Sequence, residues 1–146
     1  MPSVKEIEDA IITKLKTDLT YLKKAGTLAD FLKMDADKLT LIAPAAFVTY
    51  SGSEYAHLCA STSVEDRKSQ FIVLLVARNY VSQEKLLHGD AIKAGIYQMI
   101  DDTRVALKGQ KLGLEIFPLL PVSDHAVDGN VNVAVHGIIF NTQYRV

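Results

Sequence analysis

The chain has one cysteine, Cys59, among 146 residues, so it cannot close a disulfide within itself. A disulfide-stapled scaffold is excluded, and a reducing compartment fits. Charge of one sign is also lacking: 16 Lys and Arg stand against 17 Asp and Glu, for a net charge of −1. The balance is local as well. Residues 1–40 carry seven of each sign, 41–83 carry three of each, and 84–146 carry six basic and seven acidic. Nucleic-acid binding draws on a basic face that neutralises phosphates, and no segment supplies one. No apolar run approaches the ~20 residues that cross a bilayer. The opening MPSVKEIEDAII has acids where a signal peptide has bases. The expectation is a protein made in the cytoplasm, with neither nucleic acid nor membrane as partner.

Patterns that carry chemistry are missing too. His57, His88, His125 and His136 show neither H-E-x-x-H nor a paired metal-ligand spacing. His136 falls in an alternating strand pattern and reads as a satisfied sheet histidine. His57 and Cys59 would share one strand face, but a Cys–His nucleophile also needs an orienting group and an oxyanion donor. Neither is legible, and the apolar neighbours Leu58 and Ala60 suit a packed thiol. Asp101 and Asp102 point about 100° apart on a helix, so they cannot share a proton and read as solvated. Asp124, Asp128 and Asn130 lack EF-hand spacing, and turn chemistry explains them. The stretch from Gly109 to Gly113 lacks P-loop spacing. The residues therefore point to no enzyme, with no catalytic residue, cofactor site or metal site.

What is present is a core-forming pattern. Apolar residues make up 49% and charged residues 23%, as in soluble globular chains. A chain of this length buries roughly 70% of its unfolded surface, and nothing in it suggests a linker, so one domain over 1–146 is expected. Ser3 and Glu6 have capping-box spacing, and Val4, Ile7, Ile11, Leu15 and Leu19 form one stripe, which predicts a helix over Val4–Lys16. Tyr21–Thr27 reads as an edge strand and Leu28–Leu39 as a short helix or turn. Leu41–Tyr50 reads as a buried strand entered through Pro44. The polar stretch Ser51–Gln70 reads as an excursion, a protruding loop or hairpin. Phe71–Val81 is the candidate central strand.

Asp90 is placed to cap a second long helix, whose inner stripe is Ile92, Ile96, Met99 or Ile100, Thr103 and Leu107, with Gly109 at its C-cap. Leu114–Pro121 reads as a strand interrupted by Pro118, and Asp124–Asn130 as a turn. The closing strand Asn132–Tyr144 puts Val131, Val133, Val135 and Ile139 on one face and Asn132, His136 and Thr142 on the other. Only one long helix lies between strands, which disfavours a doubly wound parallel sheet. The expected fold is α+β: a four- to five-stranded, mostly antiparallel or mixed sheet with two main helices packed on one face.

Five stretches then carry a family resemblance: IEDAIITKLK, APAAFVTYSGS, FIVLLVARNY, AIKAGIYQMIDDTRVALKGQKLGLEIFPLLP and VAVHGIIFNTQYRV. The most specific piece is L-x-G-Q-x-L-G, made by Leu107, Gly109, Gln110, Leu112 and Gly113. Together they resemble the small tail proteins of Mu-like phages and prophages, a group linked to tail termination or completion. The resemblance implies a tail-terminator-like α+β subunit that forms a ring, a hexamer, on the end of the tail tube and joins it to the head. Its implied partners are its own copies, the tail tube protein and a head-completion protein. Its implied locations are the host cytoplasm during assembly and then the virion tail.

Cyclic assembly requires two different complementary patches on each subunit. The candidate for one patch is the excursion, with Ser51, Glu54, Tyr55, His57, Glu65, Arg67, Lys68 and Gln70. Its polar composition suggests a segment that is mobile in the free subunit and orders on ring closure. The alternatives are another tail component, a baseplate or head–tail connector part, or a prophage-derived adaptor. A small-molecule enzyme would need a deep polar pocket near His57 and Cys59.

Overall fold

Ser3 caps the first helix as its spacing predicts. Its Oγ accepts the Glu6 N–H at 3.1 Å, while Glu6 Oε2 accepts the Ser3 N–H at 2.7 Å. Two otherwise unpaired amides are thus satisfied. Helix α1 (Val4–Asp18) runs two residues past the expected end, and Lys14 and Asp18 pair at 2.9 Å in its last turn. Its stripe of Ile7, Ile11, Ile12 and Leu15 is buried. The computed structural model describes residues 2–57, 65–78, 95–127 and 133–145.

Strand β1 (Lys24–Thr27) follows, then α2 (Leu28–Leu32), α3 (Ala36–Ile42), β2 (Ala45–His57), β3 (Glu65–Arg78), α4 (Ile96–Leu107), β4 (Leu120–Val127) and β5 (Val133–Arg145). The strands form one mixed sheet in the order β1-β2-β3-β5-β4. β1 lies parallel to β2, and every other neighbour is antiparallel. The α+β expectation holds, with five strands.

One face of the sheet carries the larger core. Ala46, Val48, Phe71, Val73, Leu75, Ile138 and Phe140 pack there against Ile7, Ile11 and Leu15 of α1 and against Met99 and Leu107 of α4. Burying each large side chain contributes about 1.5–3 kcal/mol. A smaller core of Ala45, Phe47, Val76, Val133 and Val135 meets Phe31, Met34, Leu39 and Ile42. Phe31 and Phe47 stack edge-on at 5.3 Å.

Several expectations are corrected. Leu41 and Ile42 end α3 rather than begin a strand, because the Asp35 side chain caps that helix at the Lys38 N–H. The expected strand over Leu114–Pro121 is irregular up to Leu119. Gly109, Leu112 and Gly113 adopt positive φ of 78°, 56° and 72° just before it, and the turns continue into it, with Leu114 N–H donating to the Lys111 carbonyl and Ile116 N–H to the Leu114 carbonyl. Gly109 N–H donates to the Leu119 carbonyl and Leu119 N–H to the Gln110 carbonyl, so β4 starts only after Pro118. Asp124 to Val127 lie in β4 instead of a turn. An exposed edge strand shows no apolar alternation to betray it.

On β5 the face expected to be polar holds the deeper core, with Ile138 and Phe140, while Val133 and Val135 face the smaller core. Both faces are covered, so alternation alone cannot rank them. Of the expected second-helix stripe, Ile96, Met99, Thr103 and Leu107 are buried in α4 and Gly109 follows its C-cap. Asp90, Ile92, Cys59, His88, Asp128, Asn130, Val131 and Asn132 lie outside the described residues.

Strand length positions the site. β2, β3 and β5 have 13, 14 and 13 residues, or roughly 43 Å at ~3.3 Å per residue. The 15-residue α1 and 12-residue α4 span only roughly 22 and 18 Å at ~1.5 Å per residue. Neither helix can cover the strands end to end, and the distal β2–β3 pairing, called the arm below, lies beyond them beside β5.

Candidate interaction site

The arm's chemistry begins with an irregularity in β2. Tyr50 pairs with Phe71 and Gly52 with Gln70, so Ser51 is an extra residue, a β-bulge. Gly52 takes φ +150°, a value that favours glycine. Side chains alternate along a strand, so Tyr50 and Ser53 would ordinarily point to opposite faces. The bulge resets that alternation. Tyr50, Ser53 and Tyr55 all reach the face shared by Phe71, Ser69 and Arg67 of β3 and by Tyr144 of β5, as the register requires.

There the side chains form one network around Arg67. Its Nε donates to Ser53 Oγ at 3.0 Å and its Nη2 to Tyr50 OH at 3.1 Å. Tyr50 OH and Ser53 Oγ are themselves in short hydrogen-bond contact. Ser53 and Ser69 hydroxyls lie 2.8 Å apart, and Ser69 Oγ donates to Tyr144 OH at 3.2 Å. The guanidinium sits 5.7, 5.4 and 5.7 Å from the ring centroids of Tyr50, Tyr55 and Tyr144. Such distances place the cation within reach of the ring quadrupoles. Ser69 is fully buried, while Tyr55 is half-exposed at 52%. The network therefore runs from buried sheet to open surface.

Burial pushes the Tyr50 phenol up, but hydrogen bonds from Ser53 and Arg67 and the Arg67 charge outweigh it and leave it below its ordinary value. Burial acts in the opposite sense on Arg67, and the Tyr50 hydrogen bond with the three phenols holds its guanidinium above its usual value. Both directions reflect the attraction between the guanidinium and the phenols around it.

Of the eight residues expected to form the patch, Tyr55 and Arg67 meet in this cluster. Ser51 is the bulge residue, and its Oγ donates to Gln70 Oε1 at 3.2 Å. Glu54 and Lys68 pair across the strands on the opposite face. With Gly52, Ser53, Gln70 and Asn141 they border a shallow cleft of about 240 Å³. His57 and Glu65 pair at the arm's last described rung. Residues 51–57 and 65–70 are strands laddered to each other. Tyr50, Ser53, Ser69 and Tyr144 were missed. The Tyr-Ser-Gly-Ser run at 50–53 was the available signal, but Tyr144 is brought in only by the β3–β5 pairing.

Other candidates resolve into structural roles. His136 Nε2 lies 2.8 Å from Asp124 Oδ1. Asp102 accepts the Tyr21 hydroxyl at 2.9 Å, tying the segment after α1 to α4, and is therefore more than a solvated acid. Burial and this acceptor together raise the Tyr21 phenol above its ordinary value. Among the described residues, no three His, Cys, Asp or Glu converge as a metal site. No described helix is long and apolar enough to cross a membrane.

A family model described as Bacteriophage Mu, Gp37 matches residues 3–144, nearly the whole chain. The chain belongs to the Mu Gp37 family. Curated proteins give no match. As a Gp37-family member it is a Mu-like phage protein, which agrees with the resemblance read from its strands and from the L-x-G-Q-x-L-G stretch. The matched span contains the whole Arg67 network, from Tyr50 to Tyr144.

Proposed function

We propose that this Gp37-family chain is a structural subunit of a phage tail, a tail terminator that acts by docking. Copies assemble head-to-tail into a hexameric ring on the tail tube, where the ring stops tube growth and presents a surface to the head-completion protein. The observation that carries this reading is the family match over residues 3–144. The arm supports it. Arginine and tyrosine dominate interface hot spots, and here they are held in place before any partner arrives. A rigid subunit with distinct flanks also suits a heterologous contact that closes on itself.

The test is native mass measurement of the full chain over a range of concentrations, with negative-stain imaging. Six-fold rings with a tube-sized hole, which bind the ends of purified tail tubes, are expected. A chain that stays monomeric throughout, or whose assemblies bind a baseplate instead of the tube end, overturns the terminator reading. The second outcome leaves a different tail role.

A further inference from the structure

The sheet has two long edges with no strand beside them among the described residues, and they differ. β1 is a closed edge. It is four residues long, its Ala25 and Gly26 are buried, and the Asp30 carboxylate sits over Gly26. Its last rung is Thr27 with Val48, so residues 49–57 of β2 continue beyond it. Glu54, Tyr55 and Ala56 on that continuation are exposed. On the other side β4 is outermost. Gly109 and Gln110 close off Leu119, just before it, but Val122 to Val127 are all exposed, with Val122 at 53% and Val127 at 39%. Pro121 and the irregularity between Pro121 and Ser123 blunt the start of β4, which leaves Ser123 to Val127, exposed and without lysine or proline, as a template for another strand.

We propose that β4 of one copy pairs antiparallel with the outer edge of residues 52–57 of β2 in the next copy. The inference rests on the ring reading above and names its two complementary patches. Strand direction supports it. β2 and β5 run the same way, and β4 runs against β5. A neighbour related by rotation about a ring axis that runs along the strands keeps its strand sense, so β4 then meets the neighbouring β2 antiparallel, the slightly more stable arrangement.

Charge also matches, face by face. Asp124 pairs with Ile138 and therefore shares the α1 and α4 face with Tyr55 and Arg67. His125 and Val127 pair with Gly137 and Val135, on the face shared by Glu54 and Ala56. Across the junction an acid meets a tyrosine backed by Arg67, and a histidine and valine meet a glutamate and alanine. Pairing β4 with its own copy about a two-fold axis at Asp124 would instead set two carboxylates directly opposite each other, which is destabilising. Backbone hydrogen bonds supply affinity in such strand addition, and the alternating side chains supply selectivity.

The test is cysteine trapping in a Cys59→Ser background. Glu54→Cys or Ala56→Cys is combined in one chain with Ser123→Cys or His125→Cys, all on the same sheet face, and each single variant is made alone. Oxidation of assembled protein is expected to give a ladder of covalent multimers ending at the ring size for at least one of the four combinations, and no ladder from the single variants. Rings that form with no cross-link in any combination overturn this interface and leave the ring reading standing. Covalent dimers from a β4 single variant overturn it in favour of a two-fold contact. An unmodified chain that is monomeric at every concentration removes the ring reading and this interface with it.

Discussion

Replacing Arg67 by alanine tests whether the arm is held by its network or merely decorated by it. Two hydrogen bonds are lost, to Ser53 and to Tyr50, each contributing about 1 kcal/mol net. Three ring contacts at 5.4–5.7 Å go with them, at about 0.5 kcal/mol each for a partly exposed cation. Against that gross loss of roughly 3.5 kcal/mol stands about 1.5 kcal/mol of side-chain entropy no longer spent on ordering the arginine. The Tyr50–Ser53–Ser69–Tyr144 contacts remain. The expected net loss is about 2 kcal/mol, or a fall of about 4–8 °C in Tm for a chain of this size. Arg67→Lys keeps a charge over the rings without the planar fork, so it should lose about half as much. Urea unfolding at constant m value measures both. Hydrogen exchange should quicken at 52–57 and 65–70 by more than the rise that α1 shares through the lower global stability. An alanine variant within about 0.5 kcal/mol of the parent would behave as an ordinary surface substitution, and the network would then be incidental.

Three further outcomes are expected. A Cβ at Gly26 would lie 2.5 Å from Asp30 Oδ2, pushing that carboxylate off the Thr27 N–H it accepts at 3.1 Å. Gly26→Ala should cost about 1 kcal/mol, the worth of a cap, and much less in an Asp30→Ala background, as a double-mutant cycle would show. The Thr27 backbone hydrogen bond, against a smaller opposing effect of burial, holds Asp30 below its ordinary 3.8. Its contribution is therefore complete above that pH and fades as pH falls through the lower folded value, so the stability gap between parent and Asp30→Asn should narrow in acid; a gap that widens there refutes the assignment. Thr103 Oγ1 is buried in α4 with no hydrogen-bond partner among the described residues. Thr103→Val removes an unpaired hydroxyl at similar volume and should raise the urea midpoint, by about 1 kcal/mol of stability; a loss would mean the hydroxyl is satisfied after all.

How far the sequence could be read depended on whether its signal was local. Capping and a 3.6-residue stripe are local, and Ser3, Glu6, Ile7, Ile11 and Leu15 revealed α1 nearly to its ends. The apolar run from Phe71 revealed the central strand, but not that it starts at Glu65, because Asp66, Arg67, Lys68 and Ser69 are all polar and show no apolar alternation. β4 was hidden for the same reason: a strand exposed along nearly its whole length looks like a turn when it reads Ser-Asp-His. Of the residues proposed for the patch, Tyr55 and Arg67 meet in one cluster. Its organising members were out of reach because they depend on a one-residue bulge and on a rung between Arg67 and Tyr144.

That bulge links the fold to the proposed role. Strands longer than their covering helices leave polar sheet exposed, which by itself gives a floppy, uncommitted arm. Shifting Ser53 and Tyr55 onto the Arg67 face ties the distal strands to the rim of the main core through Tyr50 and Tyr144. The order is then already in place in the single subunit. Ordering long side chains at an interface costs about 0.5–1.5 kcal/mol for each one, and a six-membered ring would incur that cost at every junction. With Arg67 fixed by Ser53 and Tyr50 beforehand, the cost is met during folding, and a shallow edge-to-edge contact can hold with modest area. A loop that ordered only on closure would have bound more weakly through the same residues. The physical case for docking therefore rests on the rigidity of the arm, and it weakens in proportion to any motion found there in the isolated chain.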